Sequence, residues 1–185
     1  WDGFLESLAE EALVTRSLYI LRHAKAEETA PGGGGDRARA LKGRGRKAAR
    51  LVGRYLTELG EAPEFVLSSD ALRARETAEL AREEGGWSAP LELSPAIYES
   101  GTDGLLRQIR AAEAAVTRLL LVGHQPGLSL LIGELTGNEP DFPTAALARI
   151  DFELEHWSAV APRSGRLAWL VTPDGIGAQR PKPGR

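Results

Sequence analysis

The sequence predicts an α/β protein, a three-layer sandwich with a mainly parallel sheet flanked by helices. Three observations carry that expectation. Strand-like and helix-like segments alternate through most of the chain, which is the signature of β-α-β units. The stretch "RLLLVGH", 118–124, is apolar at successive positions, as in a strand buried on both faces. Between such runs, apolar residues recur at helical spacing, as Ala48, Ala49, Leu51, Val52, Tyr55, Leu56 and Leu59 do in 45–59.

Taken in order, residues 4–14 (Phe4, Leu5, Leu8 and Ala12 among acids) fit a short amphipathic helix. A core strand follows at 18–21. The segment "APGGGGDRARA", 30–40, contains four consecutive glycines and reads as a mobile loop, either a lid or a flexible linker. After the helix over 45–59 comes a short strand at 65–68, then a helix in "DALRARETAELAREE" opened by a Ser-Asp cap and closed by Gly85-Gly86. "LELSP" reads as a strand and 102–115 as a helix. After the strand at 118–124, "QPGLSLLIGELTG" is a helix with Pro126 near its start and Gly137 near its stop. "ALARIDFEL" and "RLAWLVTP" complete the sheet. The expected organisation is an N-terminal extension, 1–16, one domain, 17–172, and a flexible tail, 173–185.

At 185 residues the chain is long enough to bury a full core. Hydrophobic content of 42% and charged content of 26% are those of an ordinary soluble protein. A net charge of -3 offers no electrostatic case for nucleic acid or an anionic membrane, although a local positive pocket is compatible with it. The absence of cysteine excludes disulfides, thiolate catalysis and Cys-based zinc sites. No apolar run approaches the ~20 residues of a membrane span, and a cytoplasmic location is the expectation. Oligomeric state is left open.

Chemistry in such folds gathers at the carboxyl ends of the strands. Arg22 and His23 follow the first core strand with no turn residue between. Ser68, Ser69 and then Arg73 follow the second. Gly123 and His124 follow the strand at 118–124. A cation near a helix N-terminus opposes the helix dipole. Arg73 therefore either points to solvent, pairs with an acid such as Glu76, or holds an anion together with the dipole. Arg22-His23 are either a surface pair or half of a dianion site, since arginine's planar fork matches phosphoryl oxygens. His124 is either a satisfied structural histidine or a second pocket histidine. His156, in "ELEHWSAV", reads as structural.

"LRHAKAE", "LSSDALRARETAE", "LLLVGHQPGLS" and "FPTAALARIDF", in this order and spacing, resemble the histidine phosphatase superfamily, and more narrowly its small SixA-type branch. The resemblance runs over residues 17–170. It implies a phosphoglycerate-mutase-like α/β sandwich with no metal and no organic cofactor. It places the nucleophile on His23, phosphate-binding arginines on Arg22 and Arg73, and the second pocket histidine on His124. Within "DRARALKGRG" it places a further phosphate ligand on Arg39, with Arg37 two residues away. Lys42 stands where the family usually has a helix-capping Thr or Ser. The candidate proton donor is Glu99, in a segment that departs from the family's pattern.

The implied activity is phosphate removal through a phosphohistidine intermediate, with a histidine-phosphorylated protein as the expected substrate. The alternatives are a small-molecule phosphomonoesterase with the same pocket and a non-catalytic phosphate-binding regulatory module. A mutase fits less well, because "RHAKAEE" lacks the Ser and Asn usual in that branch. A two-histidine metal site lacks a carboxylate in the matched blocks.

Overall fold

A computed structural model describes residues 13–98 and 101–179. Its elements are β1 (Val14–Arg22), α1 (Gly43–Glu58), β2 (Phe65–Ser69), α2 (Leu72–Gly85), β3 (Leu91–Ser94), α3 (Thr102–Arg110), β4 (Arg118–Gly123), α4 (Gly127–Thr136), β5 (Leu147–Leu154), β6 (Arg166–Val171) and α5 (Pro173–Gln179). The sheet order is β3-β2-β4-β1-β5-β6. β3, β2, β4 and β1 run parallel to their neighbours, whereas β5 is antiparallel to both β1 and β6. The mainly parallel α/β sandwich is therefore the fold.

Alternation along the strands builds the three layers, because successive side chains point to opposite faces. Leu18, Ile20, Leu119 and Leu121 pack against Leu105 and Ile109 of α3 and Leu128, Leu131 and Leu135 of α4. Tyr19, Leu21, Leu120 and Val122 pack on the other face, against Val52 and Leu56 of α1 and Ala74, Ala78 and Ala81 of α2. Two glycines let backbones meet on that second face. A Cβ on Gly53 would lie 2.1 Å from the Ala81 carbonyl oxygen of α2, and one on Gly45 would lie 2.1 Å from that of Lys25. Gly45 thus seats α1 directly against the segment that follows β1.

Several boundaries differ from the sequence expectation. β1 begins at Val14, because 14–16 find partners in Leu154, Glu153 and Phe152 of β5. The expected helix over 4–14 lies outside the described residues up to residue 12. α3 stops at Arg110 instead of continuing to 115. Its would-be continuation turns away, and the carbonyls of Ala114 and Val116 instead accept the Arg16 guanidinium, each at 2.8 Å. α2 has Ala71 at its N-cap with no side-chain cap, so the Ser-Asp cap is not formed. Ser69 Oγ accepts the Ala71 amide at 3.2 Å, and Asp70 pairs with Arg37 at 2.9 Å. Residues 173–179, expected to be flexible tail, form α5, which is docked by the buried Ile176. Among the described residues no helix is long and apolar enough to cross a membrane.

Candidate active site

β1, β2 and β4 are adjacent and parallel, so their carboxyl ends open on one crevice. Arg22 and His23 leave β1 there, Ser69 and Arg73 come from the β2–α2 junction, and His124 follows β4. The first helical turn of α2 carries Arg73 inward, and its side chain is only 8% exposed. The reading in which Arg73 simply points to solvent is thereby overturned. Glu76 is committed elsewhere, accepting the Leu41 amide at 2.7 Å.

His23 is buried. Its amide donates to the Gly123 carbonyl at 3.0 Å, which ties the end of β1 to the end of β4. Its Nδ1 lies 2.9 Å from the Ala24 carbonyl oxygen. A carbonyl only accepts, so Nδ1 carries the proton and Nε2 keeps a free lone pair. Burial pushes the His23 pKa down to about 4; the Arg73, Arg22 and Arg39 cations push the same way, against the Ala24 hydrogen bond. The ring is neutral at physiological pH.

His124 stacks in a tilted arrangement with its ring centroid 5.2 Å from that of His23, and Tyr98 meets it edge-on at 5.4 Å. Burial, then the proximity of His23 and Arg73, lowers its pKa to about 3. His124 Nε2 lies 2.8 Å from Ser69 Oγ. That hydroxyl accepts the Ala71 amide, so its own hydrogen is available to Nε2. In that tautomer the His124 proton sits on Nδ1, a buried atom with no partner among the described residues.

The arginines follow the same pattern. Arg22 donates from Nη1 to the Phe142 carbonyl at 3.1 Å, while its buried Nε has no partner among the described residues. Burial and the nearby Arg73 lower the Arg22 pKa. Arg73 donates from Nη1 to the Asp36 carbonyl at 2.9 Å and from Nη2 to the Asp36 carboxylate at 3.0 Å, and its Nε is likewise buried and unpartnered among the described residues. Buried polar groups are nearly always hydrogen-bonded. Three orphaned nitrogens beside the open Nε2 of His23 therefore describe a cradle for an anion with several oxygens.

Arg39 joins the cluster through Asp36, with Nη1 2.7 Å from Oδ1, and donates from Nε to the Glu27 carbonyl at 2.7 Å. Arg37 instead lies over the Tyr98 ring at 4.3 Å. Glu99 lies outside the described residues. Lys42 is the N-cap of α1 and supplies no side-chain cap. His156 is exposed beyond the end of β5 that pairs with the start of β1, at the opposite edge of the sheet.

Three contributors were not read from the sequence. Asp36, which directly follows the glycine run, is gripped by Arg73, Arg39 and the Tyr98 hydroxyl. These hydrogen bonds hold its carboxyl well below the usual carboxylate range. Tyr98 closes the same side of the crevice. Thr77 Oγ1 accepts the Ala24 amide at 3.0 Å and donates to the Arg73 carbonyl at 2.7 Å, so one hydroxyl pins the loop after His23 to the helix that carries Arg73. The acid directly after the glycine run was the one local signal available for Asp36.

A family profile for the histidine phosphatase superfamily (branch 1) matches residues 18–104. An uncharacterised protein from Mycobacterium leprae is 33% identical over 140 residues, covering 69% of this chain and 84% of its own. A structure described as a phosphohistidine phosphatase SixA, from Agrobacterium tumefaciens, matches with a TM-score of 0.72 and 27% identity over 85% of this chain and 98% of that one. The protein histidine phosphatase SixA complexed with tungstate matches at 0.75 and 24%, over 86% and 99%. The chain belongs to the histidine phosphatase superfamily. It is a phosphatase with an α/β fold like those of the SixA proteins.

Proposed function

We propose that the protein removes phosphate from phosphohistidine on a protein, with His23 as nucleophile. The observation that carries the substrate class is the state of Asp36. Among the described residues it is the carboxylate in contact with the arginine cluster, and its partners hold it ionised, so it offers no proton to a leaving group. An alkyl phosphate ester must expel an alkoxide, whose basicity is near that of hydroxide (water pKa about 15.7), and gains much from a donor. A phosphohistidine expels an imidazole of pKa about 6.5, which needs far less help.

In the first step the Nε2 lone pair of His23 attacks phosphorus in line. The substrate ring is protonated on its distal nitrogen, so when the P–N bond breaks it keeps the electron pair and leaves as neutral imidazole. Arg22, Arg73, Arg39 and His124 stabilise the equatorial oxygens, the electrostatic contribution that is usually largest. In the second step water attacks the phosphoryl group, the P–Nε2 bond breaks, and inorganic phosphate leaves. His23 returns to its neutral Nδ1–H form, still oriented by the Ala24 carbonyl.

Phosphate release by the wild type and His23→Ala tests this, on a histidine-phosphorylated carrier protein, p-nitrophenyl phosphate and common phosphorylated metabolites. Fast release from the carrier, an acid-labile phosphoenzyme and loss of both in a folded His23→Ala are expected. Turnover surviving in His23→Ala would remove His23 from the role. Release from a metabolite alone would make the protein a small-molecule phosphatase and turn attention to Glu99. Phosphate binding with no release from any substrate would make it a regulatory module.

A further inference from the structure

Beside the catalytic crevice lies a second concavity, a groove of about 730 Å³. Its floor is the outer face of α1, and its rims are the segments 143–145 and 172–174. Five cations line it, Lys25, Arg44, Lys47, Arg50 and Arg54, against one acid, Asp174. Arg54 is paired with Glu84. Among the described residues Lys25, Arg44, Lys47 and Arg50 enter no hydrogen bond or ion pair through their side chains. This concentration stands out in a chain of net charge -3.

The helix bears the cations at a cost. Arg44, Lys47, Arg50 and Arg54 are spaced three, three and four apart, so they share one face and repel one another. The first turn of α1 contains no acid. Arg44, in that turn, therefore also opposes the positive end of the helix dipole. Glu84 compensates Arg54, but among the described residues Arg44, Lys47 and Arg50 have no paired acid, and a partner of opposite charge would supply one.

The groove and the catalytic pocket share a wall. Lys25 follows His23 by two residues, at most about 7 Å of extended chain. The Ala145 amide, on the groove's rim, donates to the carbonyls of both Arg22 and His23 at 3.1 Å. Phe142, at the start of the same segment, accepts Arg22 through its carbonyl. Both sites therefore open at the carboxyl end of β1.

Resting on the substrate class proposed above, we infer that this groove docks an acidic face of the phosphoprotein substrate and so presents its phosphohistidine to His23. The helical cations from Arg44 to Arg54 extend over about 15 Å of axis. That length suits the side of a protein helix or loop and exceeds what a small phosphorylated metabolite can bridge while its phosphoryl group sits on His23. Charge complementarity of this kind acts mainly on encounter and register, and it weakens with salt.

The double variant Lys47→Glu/Arg50→Glu tests the docking role without touching the catalytic cluster. Against an acidic histidine-phosphorylated carrier protein, kcat/KM is expected to fall roughly tenfold, mostly through KM, with loss of the wild type's salt dependence. On p-nitrophenyl phosphate the variant is expected to match the wild type. An unchanged kcat/KM on the carrier, or an equal loss on both substrates, would overturn the docking role while leaving the substrate class intact. A wild type inactive on the carrier but active on p-nitrophenyl phosphate would overturn the substrate class, and the docking role with it. An oligonucleotide that binds the groove more tightly than the carrier would reassign it to nucleic acid.

Discussion

The two ends of β1 each carry an arginine, and the structure uses them in opposite ways. Arg16, at the start, is 3% exposed and donates to the carbonyls of Leu154, Ala114, Val116 and Glu155. It also lies 5.9 Å over the Trp157 ring. Arg22, at the end, makes a single bond to a main-chain carbonyl and keeps a buried Nε with no partner among the described residues, beside a second arginine. One guanidinium is consumed by the fold. The other is left with an unsatisfied donor, at a cost that an anion bound there would offset. What separates a structural cation from a candidate phosphate ligand here is how many of its donors the protein has already satisfied.

Replacing each by alanine sharpens that contrast most. Arg22→Ala is expected to lower kcat/KM by about 10²–10³, while stability stays within about 1 kcal/mol of the wild type. Arg16→Ala is expected to do the reverse. It strips the donor from four main-chain carbonyls and costs about 3 kcal/mol of stability, with kcat/KM unchanged in the protein that remains folded. Urea denaturation alongside steady-state kinetics reads both. A large stability loss in Arg22→Ala, or a large activity loss in folded Arg16→Ala, would break the distinction.

The same readiness has a pH signature. His23 and His124 are held neutral, with pKa values lowered from 6.5 to about 4 and about 3. Between pH 6.5 and 4 the unfolded chain therefore binds protons that the native state refuses. Stability rises with pH through that window and falls on acidification, by about 1.4 kcal/mol per pH unit for each ring. Asp36, whose carboxyl is depressed, contributes stability above its unfolded pKa that is lost only in stronger acid. Urea midpoints between pH 7 and 4 should therefore drop less steeply in His124→Gln than in the wild type. The acid limb of kcat/KM should fall near pH 4. A limb near 6.5 would show that His23 is not held neutral by its surroundings.

Much of the site was legible because its signals are local. Arg22, His23, Arg73 and His124 each sit at or just past a strand end, and one parallel sheet brings strand ends together. The layer structure followed for the same reason, from alternation in β1 and apolar runs in β4. What was not legible depends on contacts between distant residues. Asp36 is defined by Arg73, 37 residues away, and by Tyr98, 62 residues away. The early end of α3 is set by a guanidinium from β1. α5 owes its docking to Ile176, which a composition rich in Gly and Pro concealed. The grip of Asp36 on Arg39, with Arg37 going to Tyr98 and Asp70, likewise separates two arginines that the sequence left side by side.

Asp36 also provides the finest test of the contrast between the arginines. It is the counter-ion that Arg22 lacks and Arg73 possesses, yet its side chain is 48% exposed, so water screens the pairing. Asparagine preserves its shape and removes its charge. With the carboxylate gone, an incoming oxyanion meets the arginines without a competing anion among them. Partly exposed pairs contribute about 0.5–1 kcal/mol, so Asp36→Asn is expected to tighten inhibition by inorganic phosphate or orthovanadate about two- to fivefold. Inhibition constants measured against p-nitrophenyl phosphate decide the sign. Weaker inhibition would mean that the carboxylate serves mainly to hold Arg73 and Arg39 in place, and that the two arginines of the clamp differ less in kind from Arg16 than their orphaned nitrogens imply.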